Sequence, residues 1–186
     1  MRVITGTAKG RRLKTAEGRE VRPTAEKIKE AMFSMVQFEL EGAVVLDLFA
    51  GSGQLGIEAL SRGAAKAYFA DSSAASIALV RENLEHTGLS DRAEVSHMPN
   101  TAFLRTAGTQ FDLAILDPPY EKGLIARSLP ALTERMSEKG VILCEHERGC
   151  RLPEEVGGFR IEKTRDHGKT TITVYRRIKE ETEDDE

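Results

Sequence analysis

Four consecutive residues, Asp117-Pro118-Pro119-Tyr120, carry the most specific chemistry in the chain. Two prolines in succession cannot continue a central strand or donate backbone hydrogen bonds, so they define a rigid loop with carbonyl oxygens held outward. The exocyclic amine of a nucleobase is a poor nucleophile, because its lone pair is delocalised into the ring. Asp117 and the Pro118 carbonyl can accept its two N–H hydrogens, draw the nitrogen toward tetrahedral geometry and aim the lone pair at an electrophilic methyl. Tyr120 can stack on the base, which must be unpaired or flipped out to enter. The competing reading is an ordinary strand-ending turn.

A second constellation lies upstream. Val44 to Leu48 is a continuous apolar run broken only by Asp47, and Gly51, Gly53 and Gly56 follow with the spacing of a dinucleotide fingerprint, with Asp71 about twenty positions after the first glycine. Asp71 suits ribose hydroxyls in either a nicotinamide or an S-adenosylmethionine site. Asp47 separates the two, because a carboxylate just before the glycine turn repels a pyrophosphate and attracts an ammonium and a sulfonium. The glycine N–H groups are then expected to receive the methionine carboxylate, with Asp47 capping the turn as the alternative.

These residues need a scaffold. Apolar runs at Val44–Asp47, Lys66–Ala70, Ala93–Met98, Phe111–Leu116 and Val141–Cys144 read as strands, separated by stretches of helical spacing through Ile28 to about Leu40, Ile57–Leu60, Ile77–Leu84 and Leu129–Leu132. Such alternation predicts a mainly parallel sheet with helices on both faces, and it puts Asp47, Asp71 and Asp117 at carboxyl ends of strands, where ligands bind. Phe159–Lys163 and Thr170–Tyr175, joined around Gly168, predict a C-terminal antiparallel hairpin. Seven strands are expected, with Thr24 as N-cap of the first helix.

The chain has 186 residues, of which 40% are hydrophobic and 31% charged, as in a globular domain without a membrane span. Its start lacks the apolar core of a signal peptide, which leads to a cytoplasmic expectation. Two cysteines outside any C-x-x-C pair and four scattered histidines predict neither disulfide nor metal. The net charge of -3 conceals an asymmetry: Met1 to Thr24 holds seven basic residues against two acidic ones, whereas Glu180 to Glu186 holds six acidic residues. Lys9, Arg11, Arg12 and Lys14 crowd around one expected turn among Gly6, Gly10 and Gly18, which predicts a β-arm contacting a nucleic acid rather than a plain solvated ribbon. The organisation expected is a basic arm over residues 1–24, a catalytic domain over 25–178 and a disordered acidic tail over 179–186, in a monomer.

The motifs Asp47-Leu48-Phe49-Ala50-Gly51-Ser52-Gly53 and Asp117-Pro118-Pro119-Tyr120 resemble those of class I S-adenosylmethionine-dependent methyltransferases of amino nitrogens. Arg22-Pro23-Thr24, the run Gly56-Ile57-Glu58-Ala59-Leu60-Ser61-Arg62-Gly63-Ala64 and the basic arm resemble the RsmD family, bacterial methyltransferases of guanine N2 in small-subunit ribosomal RNA; the resemblance spans about Arg2 to Arg177. It implies a Rossmann-like fold and a target-amine site at Asp117, Pro118, Pro119 and Tyr120. The cofactor site it implies comprises Asp47, Phe49, Gly51, Ser52, Gly53, Asp71, Ser72 and Asn100. At Asn100 such enzymes often carry an Asp beside the adenine amine, and an amide oxygen can accept the same hydrogen bond. Ribosomal RNA would meet Arg2, Lys9, Arg11, Arg12, Arg22 and Thr24. An adenine-N6 enzyme, an NAD-dependent oxidoreductase and a non-catalytic RNA-binding module are the alternatives.

Overall fold

A computed structural model of the protein describes residues 1–16, 23–120 and 123–179. Its elements run α1 (Pro23–Met35), β1 (Val44–Asp47), α2 (Gln54–Ser61), β2 (Lys66–Asp71), α3 (Ala74–Thr87), β3 (Ala93–His97), α4 (Asn100–Thr106), β4 (Phe111–Leu116), α5 (Leu124–Thr133), β5 (Met136–Glu147), β6 (Glu155–Val156), β7 (Phe159–His167) and β8 (Thr170–Arg177). The strands form one sheet in the order β3-β2-β1-β4-β5-β8-β7-β6. β3, β2, β1, β4 and β5 are parallel, and β8, β7 and β6 continue the sheet antiparallel.

The inner parallel strands β1 and β4 and the Val141–Cys144 part of β5 are mostly apolar because both faces are covered, whereas the edge strand β3, Ala-Glu-Val-Ser-His, is partly exposed. Val45, Leu113, Ile115, Val141 and Leu143 pack with α1, α2 and α3 through Met32, Phe33, Leu55, Ile57, Val80 and Leu84. Leu46, Ala114, Leu116, Ile142 and Cys144 point the other way, toward Phe103 and Leu104 of α4 and Ile125 and Leu129 of α5. Chain order leaves β1 outward to β2 and β3, then returns to β4 on the other side, so the strand order reverses between β1 and β4. Parallel sheets open a crevice at such a reversal.

The structure departs from the expected organisation in four places. An eighth strand, β6, is only two residues long and pairs Glu155 with Arg160 and Val156 with Phe159, too short to leave a periodic signal. The helix α4 was absent from the pattern reading, its seven residues making barely two turns. α1 opens at Pro23, whose fixed φ and missing N–H suit a first helical position, so Thr24 lies inside the helix and does not cap it. That helix ends at Met35, and a 3-10 turn over Gln37–Glu39 carries the chain to Leu40.

The arm also differs. Among the described residues its regular pairing amounts to one antiparallel bridge between Arg2 and Arg12, flanked by Val3 N to Arg11 O and Leu13 N to Met1 O, and its other backbone groups divide between turns of the arm and the body of the protein. Ile4 N and Thr5 N donate to the Glu58 carboxylate at 2.8 and 3.0 Å, and Ala8 N donates to Ser61 Oγ at 3.0 Å. Val3, Ala8 and Leu13 are buried beneath the arm. A side chain on Gly6 would place its Cβ 1.7 Å from Ser61 O, so the arm lies directly on the end of α2. Residues 17–22, including Arg22, and the acidic tail from Glu180 lie outside the described residues, as does the side chain of Thr24.

Candidate active site

Two loops meet at the reversal: the turn after β1 and the Asp-Pro-Pro-Tyr loop after β4. They border a cavity of about 1050 Å³ whose wall includes Phe49, Gly51, Ser52, Asp71, Ser72, Asn100, Asp117, Pro118, Pro119 and Tyr120. Of the residues assigned to a cofactor, Asp47 and Gly53 lie behind this wall. Gly51 and Gly53 adopt φ of +55° and +78°, left-handed values that only glycine takes without strain. Gly56 serves packing, since a Cβ there would stand 2.3 Å from Phe69 Cε1 on β2.

The N–H groups of all three glycines, expected to receive an incoming carboxylate, have partners within the protein. Gly51 N donates to Asp71 Oδ2 at 2.9 Å, Gly53 N to Ala50 O at 2.7 Å and Gly56 N to Asp47 Oδ2 at 2.9 Å. Asp71 also accepts from Ser73 N at 2.8 Å, which ties the turn after β1 to the start of α3. The acceptor for Gly51 comes from the end of β2, a reach that local spacing does not display.

Asp47 is buried, and its Oδ2 accepts from Gly56 N at 2.9 Å. This links the end of β1 to the first turn of α2, a capping geometry in which a carboxylate meets the positive helix end. Its Oδ1 has no partner, nor has the buried Oε1 of Gln54, whose residue lines the cavity. Burial pushes the Asp47 carboxyl up to about 7, with the Asp117 and Asp71 charges adding to the rise and the Gly56 bond opposing it. Two orphaned acceptors in a negative field suit a cationic donor and repel a phosphate.

That shift has a consequence for stability. The folded state holds the Asp47 proton where the unfolded chain, ionising near 3.8, has released it. The contribution to stability is therefore full below about pH 4 and is lost as pH rises through about 7, a difference of up to roughly 4 kcal/mol at 1.36 kcal/mol per pKa unit. Asp47→Asn retains an oxygen for Gly56 and removes the charge. Its urea midpoint should gain on the wild type progressively from about pH 4 to pH 8, while a gap constant with pH would show that Asp47 does not titrate in this window.

The other rim is set by the rigid loop. The Tyr120 hydroxyl lies 2.9 Å from Thr170 Oγ1 at the start of β8, which fixes the ring, still 57% exposed, across the sheet edge. Burial raises its phenol, which stays protonated at neutral pH. Pro118, Pro119 and Tyr120 also border a second cavity of about 550 Å³ lined by Glu145, His146, Glu147, Arg148 and Arg151 among others. Sequence reading missed this half of the site. The available signal was Glu145, which follows the apolar run of β5 as Asp117 follows that of β4.

Asn100 opens α4 at the first cavity, and its Nδ2 donates to Ser128 Oγ at 2.7 Å. Ser128 gives its one proton to Leu124 O at 2.9 Å and can only accept from Asn100. The amide nitrogen is thereby committed, and the carbonyl oxygen is the acceptor left to present elsewhere. Among the arm residues, Arg2, Lys9, Arg11, Arg12 and Lys14 are all exposed. Arg2 pairs with Glu26 at 3.1 Å, Lys14 pairs with Glu82, and Arg11 donates to His86 O at 2.7 Å near the end of α3. Intramolecular partners thus relieve part of the crowding that the sequence pattern assigned to an absent anion. Among the described residues, no group of three or more His, Cys, Asp or Glu side chains could hold a metal, and no helix is long and apolar enough to cross a membrane.

A doubly covered parallel sheet that ends in an antiparallel hairpin, with a glycine turn after β1 and an Asp-Pro-Pro-Tyr loop after β4, defines a class I methyltransferase fold. The solved structure of YhhF from Escherichia coli superposes with a TM-score of 0.82 at 29% identity, covering 95% of this chain and 97% of that one. YlbH of Bacillus subtilis is 39% identical over 182 residues, 95% of this chain and 99% of the relative. Ribosomal RNA small subunit methyltransferase D of Escherichia coli K12 is 30% identical over 179 residues, 95% and 90% of the two chains. The family model described as conserved hypothetical protein 95 matches residues 1–176, and the chain belongs to that family, the RsmD family of methyltransferases.

Proposed function

We propose that this protein transfers a methyl group from S-adenosylmethionine to the exocyclic N2 amine of a guanine in small-subunit ribosomal RNA, in the bacterial cytoplasm. The observation that carries the reading is the pair of cavities meeting at Pro118, Pro119 and Tyr120, one large enough for a nucleoside cofactor and the other open to a base. When bound, the cofactor supplies an electrophilic methyl on a sulfonium. Asp71 and Ser72 would hold its ribose and Asn100 its adenine amine, while Gln54 on the wall and the charge of Asp47 just behind it would favour its ammonium; the orphaned oxygens of the last two fit that charge. Asp117 and the Pro118 carbonyl would take the amine hydrogens, and the Tyr120 ring would stack on the base. In this reading residues 1–24 form an RNA-contacting arm, with Lys9 and Arg12 among its exposed cations, on a catalytic domain of residues 25–178 that precedes an acidic tail.

The test is to incubate the purified chain with labelled S-adenosylmethionine and small-subunit ribosomal RNA, free and as subunits, and to identify the product nucleoside by mass spectrometry. N2-methylguanosine is expected. N6-methyladenosine would replace the reading by the adenine alternative, which shares the Asp-Pro-Pro-Tyr motif, and RNA binding without transfer would leave a binding module.

A further inference from the structure

We propose that Glu145 selects guanine at the target site by accepting the N1–H hydrogen of the base beside the N2 amine held at Asp117. This rests on the methyltransferase reading above and extends it to how the base is told apart from others. Leu116 of β4 stands in register with Cys144 of β5, so the next residues, Asp117 and Glu145, are neighbours where β4 ends and β5 runs on alongside β8. Glu145 is held in place by pairing of its strand with Ile172 of β8, and it lines the second cavity together with Pro118, Pro119 and Tyr120. Asp117 borders the first cavity and Glu145 the second, and the two cavities share Pro118, Pro119 and Tyr120, so the two neighbouring carboxylates flank the proline loop where a base held at Asp117 would present its N1 edge.

The Watson–Crick edge of guanine offers three adjacent hydrogens, two on N2 and one on N1. Adenine offers two on N6 beside a bare N1 lone pair. Three acceptors match the first edge and leave lone pair against lone pair in the second, and an unsatisfied buried acceptor is costly. Burial and the Asp117 charge push the Glu145 carboxyl up to about 8. A guanine N1–H favours its ionised, accepting form, whereas the protonated acid can donate to a bare N1, so the preference for guanine should strengthen as pH rises through about 8 and is read above it. Neither Thr170 nor the arm provides such an acceptor pair.

The discriminating probe is 2-aminopurine, which keeps the N2 amine and replaces N1–H by a lone pair. It is placed at the modified position of an RNA that the wild type methylates. The wild type should prefer guanine by on the order of 10- to 100-fold in kcat/KM, the range expected for one charge-assisted hydrogen bond. Glu145→Gln, whose amide can donate to the lone pair as well as accept, should bring the two bases within about threefold. Glu145→Ala should lower the guanine rate toward that of 2-aminopurine. S-adenosylhomocysteine affinity serves as the control for an intact fold. A wild type that uses both bases equally, or a Glu145→Gln variant that keeps the full preference, overturns the inference. Absence of any methyl on guanine with the wild type overturns the underlying reading, and the inference with it.

Discussion

Alanine at Asp117 is expected to lower methyl transfer by about 10³-fold or more while leaving S-adenosylhomocysteine affinity within a few-fold of the wild type. The carboxylate follows the end of β4 on the wall of the first cavity, next to the Pro118-Pro119-Tyr120 rim that this cavity shares with the second, where it would hold an amine rather than the body of a cofactor. An amine that is not drawn out of conjugation keeps its lone pair in the ring, and the prolines alone supply only one of the two acceptors needed. The measurement is a single-turnover rate with saturating RNA alongside calorimetry for S-adenosylhomocysteine. A rate loss matched by an equal loss of cofactor affinity would move Asp117 from the amine to the cofactor. The removal of one negative charge should also lower the raised carboxyl of Asp47, since Asp117 contributes to that rise.

The second large effect is structural. Glu58→Ala should destabilise the fold by about 3–5 kcal/mol, the range for removing one partner of a buried ion pair. Its carboxylate is fully buried, bridges Lys29 Nζ at 3.2 Å and Arg62 Nε at 2.8 Å, and accepts from Ile4 N and Thr5 N. Alanine leaves an ammonium that is 1% exposed without its counter-ion and strips two backbone donors of their acceptor. Lys29 already has its pKa lowered by burial, and loss of the carboxylate would lower it further. Urea unfolding measures the loss, and amide exchange at Ile4 and Thr5 measures release of the arm. A midpoint unchanged within error would show that the arm is held by its apolar residues alone. Glu58→Gln, which keeps one acceptor, should fall between the two.

Much of the sheet could be read from local pattern because inner parallel strands are apolar on both faces and stand out as continuous runs, as β1, β4 and the Val141–Cys144 part of β5 do, whereas the edge strand β3, Ala-Glu-Val-Ser-His, gives a weaker pattern; the Gly168 turn marked the β7–β8 hairpin. Elements with few residues escaped: β6 is defined by its partner on β7, and α4 is too short for a period to accumulate. The site divided in the same way. Asp117, Pro118, Pro119 and Tyr120 sit where strand four was expected to place them, since their signal is local. The second cavity was invisible because Glu145 gains its setting from β4 and β8, and Thr170, which steadies Tyr120, lies fifty positions away. Asp71 and Gly51 were both singled out, yet the hydrogen bond joining them across 20 residues was not legible. The positive charge of the arm was legible as composition, whereas Glu26, Glu82 and the end of α3 as its partners were not.

Asn83 on α3 gives the arm a temporal consequence. Its side chain accepts from Lys14 N at 2.8 Å, donates to Lys14 O at 2.9 Å, and donates to Ser52 O in the glycine turn at 2.8 Å. The arm therefore cannot settle on α3 until a side chain 69 positions further along has been made. Closing a loop of that length precedes any reward from the contact. The arm is thus synthesised well before the helix that seats it, and the amide that seats it also fastens the turn at the mouth of the cavity.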